Sequence, residues 1–185
     1  MSAFAIRNVG NDVGVAFAGS ILLAFFAQFS IHLPFTPVPV TLQTLGVFLL
    51  AGLLGPTRGF WSVLFYLVEG SIGLPVFAGG LAKPLWFISS TAGFLFAFLP
   101  ATFLIGKLLE CRPNGGSWVY ILFTLVLGQF VMYAFGMTWL ALFVGLQKAF
   151  LLGVLPFLAG ASVKICLAAF LLKGLLSRGV RWTHY

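Results

Sequence analysis

The side chain with the most unusual setting in this sequence is Lys164. It lies about eight residues, or ~12 Å of helix, inside the last long apolar run. An ionisable group at that depth costs ~2.5–3.5 kcal/mol on insertion scales, and by default it faces an interior or watery cavity rather than lipid. The alternative is that its long side chain snorkels to the interface. At helical spacing Phe157, Gly160, Ala161 and Ala168 share its face, so small neighbours leave room for a ligand carboxylate or carbonyl oxygen.

Other polar groups inside apolar runs are few. Glu69 is the only acidic residue within one of them. It is a candidate to neutralise Lys164 or to contact a ligand, and the competing interpretation is a carboxylate that rests at the membrane interface. Neutral hydrogen-bonding groups also lie at or within these runs, and each alone is weak evidence because neighbouring helices satisfy most such groups: Thr41, Gln43, Thr91, Gln129 and Tyr133.

The sequence contains few residues that are suitable for catalysis. Three acidic residues and two histidines in 185 residues do not furnish the usual acid/base or metal constellations. Gly106-Lys107 is followed by Leu108 and lacks the spacing of a phosphate loop. Cys111 and Cys166 are predicted to be free thiols. The sequence therefore predicts a protein that is not an enzyme, hydrolyses no ATP itself, and needs no metal or cofactor.

The elements that must position Lys164 are membrane helices. The chain is 61% hydrophobic and 7% charged, with a mean hydropathy of +1.13, whereas a soluble domain carries about 25% charged residues. We predict an all-α integral membrane protein with a single domain over residues 1–185, in which the first 12 residues lead into a first span that is retained. Six spans of suitable length are predicted, at 13–32, 40–57, 59–76, 85–107, 117–136 and 153–175.

The basic residues predict the orientation of these spans. The net charge of +7 is scattered singly between apolar runs, which favours a role in membrane orientation over nucleic-acid binding. With six spans, one side receives only Lys83 and Lys148. The other side receives Arg7, Arg58, Lys107, Arg112, Lys173, Arg178 and Arg181. This asymmetry places both termini in the cytoplasm.

The first span carries a stripe of small residues, Ala16, Ser20 and Ala24, at intervals of four. Such a stripe permits close approach of another helix. Docking of a second membrane protein is one interpretation, and packing within the same chain is at least as good a one.

Four segments in a fixed order give the sequence a family resemblance. They are 33–44 (LPFTPVPVTLQT), 51–56 (AGLLGP), 73–80 (GLPVFAGG) and 153–158 (GVLPFL) before Lys164. Together they resemble the BioY family, the biotin-specific S components of energy-coupling factor (ECF) transporters. The resemblance implies six spans, a cell-membrane location, a biotin pocket under the outer loops, and partnership with a transmembrane T component and a pair of ATPases. It also implies that the stripe in the first helix docks the T component.

The resemblance also implies site residues. Lys164 matches the basic residue that the family places against biotin, whereas Ala161 stands where the family usually has an aspartate. The remaining candidates for ligand binding lie in familial loops or stretches: Phe35, Thr41, Gln43, Phe77, Gly79, Thr91 and Tyr133. Because Ala161 and the 89–94 stretch depart from the family pattern, an S component for another vitamin or a biotin precursor stays open as an alternative. A membrane-embedded enzyme or an assembly factor is a further alternative, disfavoured by the scarcity of reactive groups.

Overall fold

The computed structural model describes residues 9–80, 82–112 and 116–179, and it is built almost entirely of helices. The six α-helices are α1 (Val9–Gln28), α2 (Gln43–Ser71), α3 (Ala92–Glu110), α4 (Trp118–Val144), α5 (Leu146–Gly153) and α6 (Leu158–Ser177). Two short strands, β1 (Ser30–Ile31) and β2 (Val40–Thr41), pair antiparallel after α1. Within the described residues, five helical stretches are long and apolar enough to cross a membrane.

The α2 element folds back on itself at Gly55. That residue has φ 78° and ψ −176°, a conformation that glycine adopts without a steric penalty. The Gln43 side-chain amide donates a hydrogen bond to the Tyr66 hydroxyl 23 residues later, a separation of ~35 Å in a straight helix. A Cβ placed on Gly59 would lie 3.5 Å from the Ala51 Cα. The two halves of α2 are therefore antiparallel neighbours.

Two contacts fix the turn at Gly55. A Cβ on Gly106 of α3 would lie 2.6 Å from the backbone nitrogen of Pro56, so only a glycine allows α3 to approach so closely. From the other side, Arg58 Nε donates to Asp12 Oδ1 at 2.7 Å, which ties α2 to the first turns of α1. We call this part of the molecule the Gly55 end. The opposite part, formed by residues 29–42, 72–80, 82–91 and 145–157, is the loop end.

The core forms where α2 packs between α1, α3 and α6, and where α3 packs against α4. Large side chains with no exposed surface fill it, among them Phe48, Ile105, Leu125 and Leu172. Many apolar side chains on the outer faces are exposed instead, for example Phe130 and Phe170. An apolar outer face around a packed interior is the arrangement required of helices surrounded by lipid.

The structure corrects the predicted end of the 117–136 span. Helix α4 continues to Val144, because Gly136 is a contact point rather than a terminator. A Cβ there would lie 2.2 Å from the Phe94 ring. Residues 137–152, which lie between the last two predicted spans, consist of the end of α4 and most of the short helix α5, with a turn at Gly145.

Other predicted boundaries shift by several residues. The first helix starts earlier than the predicted 13–32 span and ends at Gln28. The predicted 85–107 span begins with an isolated turn at Trp86–Ile88, and α3 starts only at Ala92. The predicted 153–175 span starts as a helix at Leu158, after a turn that contains Pro156. The predicted spans 40–57 and 59–76 both fall within α2 and the residues beside it.

The small residues of α1 face the chain's own interior. Ala16 and Ser20 are buried, and Ala24 is half-buried. Ser20 Oγ lies 2.6 Å from Glu69 Oε1, to which it donates a hydrogen bond. Ser20 therefore lies in the contact between α1 and α2, and Ala16 is buried within the same chain.

Candidate ligand-binding site

A cavity of about 160 Å³ lies at the loop end, between α2, α3, α4 and α6. A single water needs only ~10–15 Å³ measured in this way, so the space is large enough for a small organic molecule. Helical residues form its walls, and residues from three parts of the loop end cover it: the segment from His32 to Thr41, the residues Phe77, Ala78 and Lys83, and the segment from Gly153 to Phe157.

Lys164 enters this cavity from α6. Its Nζ donates to the backbone carbonyl oxygen of Thr41 at 3.1 Å, and the side chain is half-buried. The contact joins α6 to the strand pair that covers the cavity. Among the described residues, its hydrogen-bond partner is a neutral carbonyl and no carboxylate lines the cavity, so the ammonium is a candidate partner for an anionic group of a ligand.

The covering segment at 33–39 is held by Thr36. Its hydroxyl donates to the Leu152 carbonyl at 2.7 Å and accepts a hydrogen bond from the Val38 backbone nitrogen at 3.1 Å. Pro37, Val38 and Pro39 then lie over the cavity. The two proline rings restrict the backbone of this cover, so its shape is largely preset.

Aromatic rings form one wall. Phe77 stacks edge-on with Tyr66 at 5.4 Å between centroids and contacts Trp86 at 5.8 Å. The Trp86 indole nitrogen donates to Ser71 Oγ at 2.9 Å, and both Phe77 and Trp86 are among the lining residues. Ring pairs of this kind present an apolar, fairly rigid surface, suitable for an apolar ring or chain of a ligand.

Neutral polar groups without partners complete the lining. Thr44 Oγ1, Gln129 Oε1 and Tyr133 Oη are all buried and have no hydrogen-bond partner among the described residues, and all three residues line the cavity. A buried polar atom without a partner costs ~1–3 kcal/mol. The cavity therefore carries hydrogen-bonding capacity that the protein itself leaves unused.

Glu69 does not contribute to the cavity. It is not among the lining residues, and its carboxylate accepts the hydrogen bond from Ser20 of α1. Among the described residues, no carboxylate lines the cavity, and no group of three potential metal ligands is found. The suggestion that Glu69 neutralises Lys164 is not supported by these contacts.

Six of the nine ligand-binding candidates converge on the cavity: Thr41, Gln43, Phe77, Thr91, Tyr133 and Lys164. The other three lie elsewhere. Phe35 is 58% exposed on the covering segment, and Ala161 is buried on α6, one turn before Lys164. Gly79 sits in a turn beside Ser30 and His32 with φ +72°, where it shapes the covering segment.

Several lining residues carried little or no signal in the sequence. Trp86, in the turn at Trp86–Ile88, lines the cavity together with Phe94 and Phe98 of α3. In the sequence, these three residues resemble any other aromatic residue of a membrane helix. Gln129 was recognisable in the sequence as a polar residue deep within an apolar run. Its direction followed only from the packing of α4 against α3 and α6.

A bundle of apolar helices that encloses a ligand-sized cavity under covering loops defines a substrate-binding membrane protein. The comparisons with known proteins agree with this class. The sequence matches the BioY family over residues 4–180, and the chain belongs to that family.

Relatives from distant organisms support the assignment. The chain is 40% identical to the probable biotin transporter BioY of Pyrococcus horikoshii over 149 residues, which cover 80% of this chain and 86% of the relative. It is 38% identical to the biotin transporter BioY of Rhizobium etli, with 84% and 87% covered. Its fold is similar to the crystal structure of an S-component for biotin from an ECF-type ABC transporter, with a TM-score of 0.80, 27% identity, and 92% and 94% covered.

Proposed function

We propose that this chain takes up biotin as the substrate-capturing S component of an ECF-type transporter, and not as an enzyme. The observation that carries the proposal is Lys164, a cation that faces a ligand-sized cavity and has a neutral carbonyl as its partner. Family membership and the biotin transporters among the relatives point to the same ligand.

The chemistry of biotin matches the lining. Its valerate carboxylate is an anion that suits the Lys164 ammonium, with a contact strengthened by the low dielectric of the interior. Its fused ring is largely apolar at the sulfur-containing edge, and the Phe77 and Trp86 wall offers apolar contact. Its ureido group has both N–H donors and a carbonyl acceptor, for which the unpartnered polar atoms of the cavity are suitable.

We also propose that the chain is a single membrane domain that crosses the cell membrane six times. Both termini then lie in the cytoplasm. Counting the two halves of α2 separately, as the reversal at Gly55 supports, gives six antiparallel passes. The Gly55 end then holds most of the described basic residues: Arg58, Lys107, Arg112, Lys173 and Arg178. That distribution is typical of a cytoplasmic face, which puts the cavity on the outer side.

Partners are proposed from the family. The chain would work with a transmembrane T component and a pair of ATPases. The ATPases would hydrolyse ATP, because this sequence contains no phosphate loop of its own. Of the proposed docking residues, Ala24 is half-buried, whereas Ala16 and Ser20 are buried and Ser20 bonds Glu69 of the chain's own α2. Docking on α1 would then also use exposed neighbours such as Phe17 and Ile21.

Competition binding on the purified full-length chain tests the ligand. Biotin should displace radiolabelled biotin stoichiometrically, desthiobiotin should compete because it keeps the ureido ring and the carboxylate, and thiamine and riboflavin should not compete. Retention of thiamine or riboflavin in place of biotin would favour the alternative of another vitamin. Preference for desthiobiotin over biotin would favour a biotin precursor.

A further inference from the structure

Two cations converge on one glycine at the Gly55 end of the molecule. Lys173 of α6 donates through its Nζ to the backbone carbonyl oxygen of Gly116, which lies just before α4, at 2.6 Å. A Cβ on Gly116 would lie 3.5 Å from the Cβ of Arg112, so the second cation starts beside the same residue. The end of α3, the start of α4 and the last turns of α6 therefore bring two positive charges to one place.

The described part of the chain does not balance these two charges. No described carboxylate forms an ion pair with Arg112 or Lys173. The sequence contains three acidic residues, and each has another partner: Asp12 pairs with Arg58, Glu110 pairs with Lys107, and Glu69 accepts a hydrogen bond from Ser20. The general excess of basic residues on a cytoplasmic face does not require two cations to meet without an anion.

The surroundings of Arg112 leave its hydrogen-bond donors available. Its guanidinium carbon lies 5.3 Å from the centroid of the Tyr120 ring, within the range of a cation–π contact. The Tyr120 hydroxyl donates to the Leu108 carbonyl at 2.7 Å, which holds the ring in place. Arg112 is exposed, and a guanidinium that rests on a ring still presents N–H donors at its edge. The residue is therefore suited to bind an oxyanion.

Exposed aromatic surface lies next to the two cations, toward the middle of the membrane. Phe170 precedes Lys173 by three residues on α6, so the two side chains share a face. The Phe170 ring lies 6.3 Å from the ring of Trp118 at the start of α4, and both side chains are exposed. The pair bridges α4 and α6 on their outer surface. Cations at the interface, followed by tryptophan and apolar surface, match the order of phosphate, glycerol and acyl chains in a phospholipid.

We infer that Arg112 and Lys173 bind the phosphate of an anionic phospholipid, whose acyl chains lie along Trp118 and Phe170 between α4 and α6. The guanidinium and the ammonium both donate charge-assisted hydrogen bonds to phosphate oxygens. A zwitterionic lipid carries a cation of its own, so a site with two positive charges attracts it less. The Gly55 end, proposed above to be cytoplasmic, faces the leaflet with the negative surface potential. A lipid bound here lies at the opposite end from the cavity and does not compete with its ligand.

Native mass spectrometry of the purified full-length chain in detergent tests this site. The added lipids are phosphatidylglycerol and phosphatidylcholine with the same acyl chains, and the variants are Arg112→Gln, Lys173→Met and the two combined. Arg178→Gln is the matched control, because Arg178 is an exposed basic residue at the same end. It follows Lys173 by five residues and lies about 140° away from it around the helix axis.

The unchanged chain should bind one phosphatidylglycerol at least about 10-fold more tightly than phosphatidylcholine, and this preference should fall as salt is added. Each single variant should bind phosphatidylglycerol about 5-fold more weakly, and the combined variant about 25-fold more weakly. Binding of phosphatidylcholine should change by less than about 2-fold in all of them. Arg178→Gln should bind both lipids as the unchanged chain does.

Thermal unfolding without added lipid separates lost binding from misfolding. Arg112 is exposed, so Arg112→Gln should melt at the temperature of the unchanged chain, even if Lys173→Met loosens the contact with Gly116. A melting temperature lowered in Arg112→Gln, with equal losses for both lipids, would indicate a structural role and overturn the site.

Three further results would contradict the lipid site. Equal losses in Arg178→Gln and Arg112→Gln, or equal affinities of the unchanged chain for the two lipids, would mean that the attraction is not specific to this place. Displacement of phosphatidylglycerol by millimolar glycerol phosphate would mean that the cations serve a free anion and that the acyl chains contribute nothing. Undiminished lipid binding by the combined variant would leave these cations to a protein partner instead.

Discussion

Two basic side chains in the membrane helices have opposite surroundings. At the Gly55 end, Arg58 is paired with Asp12 through its Nε at 2.7 Å and through its terminal nitrogen. At the loop end, Lys164 contacts the neutral carbonyl of Thr41 and opens into the cavity. The first cation is balanced within the protein and joins two helices. The second faces a cavity in which no described carboxylate lies, so the same type of charge is paired within the fold at one end and, as we propose, binds ligand at the other.

The largest change in biotin binding is expected when the charge of Lys164 is removed. Lys164→Ala should weaken biotin binding about 1,000-fold, because it removes one partner of a desolvated charged contact. Lys164→Met, which keeps most of the side-chain volume, should lose binding equally without lowering the melting temperature. Equilibrium binding of labelled biotin in detergent measures both.

Lys148→Ala is the matched control for that change, because Lys148 lies at the same end but is exposed and outside the lining. It should bind biotin as the unchanged chain does. Lys83 lines the rim of the cavity but is exposed, so Lys83→Ala should weaken biotin binding far less than Lys164→Ala. An equal loss in Lys148→Ala and Lys164→Ala would mean that general electrostatic attraction, and not the cavity, carries the effect.

At the Gly55 end, the opposite outcome is expected. Asp12→Asn should lower the free energy of unfolding by about 3 kcal/mol, because it leaves the largely buried Arg58 charge uncompensated. Biotin affinity of the folded fraction should not change. Unfolding in mixed detergent micelles gives the first quantity and calorimetry the second.

Glu110→Gln is the control for the ion pair, since Glu110 lies 3.6 Å from Lys107, whose side chain is 62% exposed. Exposed pairs contribute little, so stability should change by less than about 1 kcal/mol. If Asp12→Asn changed affinity rather than stability, the division between a structural and a ligand-binding cation would fail.

The close approach of α3 to the turn at Gly55 gives a second test of how this end stabilises the fold. Gly106→Ala should cost about 2 kcal/mol of stability, because the added Cβ would meet the Pro56 backbone at 2.6 Å and force the helices apart. Gly174→Ala, on a part of α6 with nothing within 4 Å, should leave stability unchanged or slightly raised. Thermal unfolding compares the two, and equal melting temperatures would argue against the reversal of α2.

The smallest effect is expected at the cover of the cavity. Thr36→Val removes the hydroxyl that holds the 33–39 segment to Leu152, a contribution of ~1 kcal/mol. Biotin should dissociate about 3-fold to 5-fold faster, with little change in stability. Stopped-flow release is the measurement, and Ser162→Ala, whose hydroxyl bonds its own helix on an exposed face, should dissociate at the original rate.

The sequence revealed the cation that faces the cavity more reliably than the helix boundaries. Lys164 was recognisable because an ammonium deep in an apolar run has few acceptable environments. Gly136 was misjudged because glycine ends helices and also permits close packing, and only the position of the Phe94 ring distinguishes the two. Asp12 was assigned to a tail, whereas its pairing with Arg58 places it in the first turns of α1.

Side-chain direction was the part least accessible from the sequence. Helix α4 is apolar all round, so its sequence does not show which face points inward, and Gln129 gained meaning only from the cavity beside it. The stripe on α1 raised the same difficulty, since small residues suit any close helix contact. Ser20 is directed inward by its hydrogen bond to Glu69, a pairing between residues 49 positions apart.

Native mass spectrometry of the full-length chain, purified from cells grown with biotin, tests the central claim most directly. The unchanged chain should carry one added mass equal to biotin, the Asp12→Asn chain should carry it too, and the Lys164→Met chain should be free of it. Biotin retained equally by the Lys164→Met chain would contradict the account, because the cation that faces the cavity from α6 would then not be the one that binds the ligand.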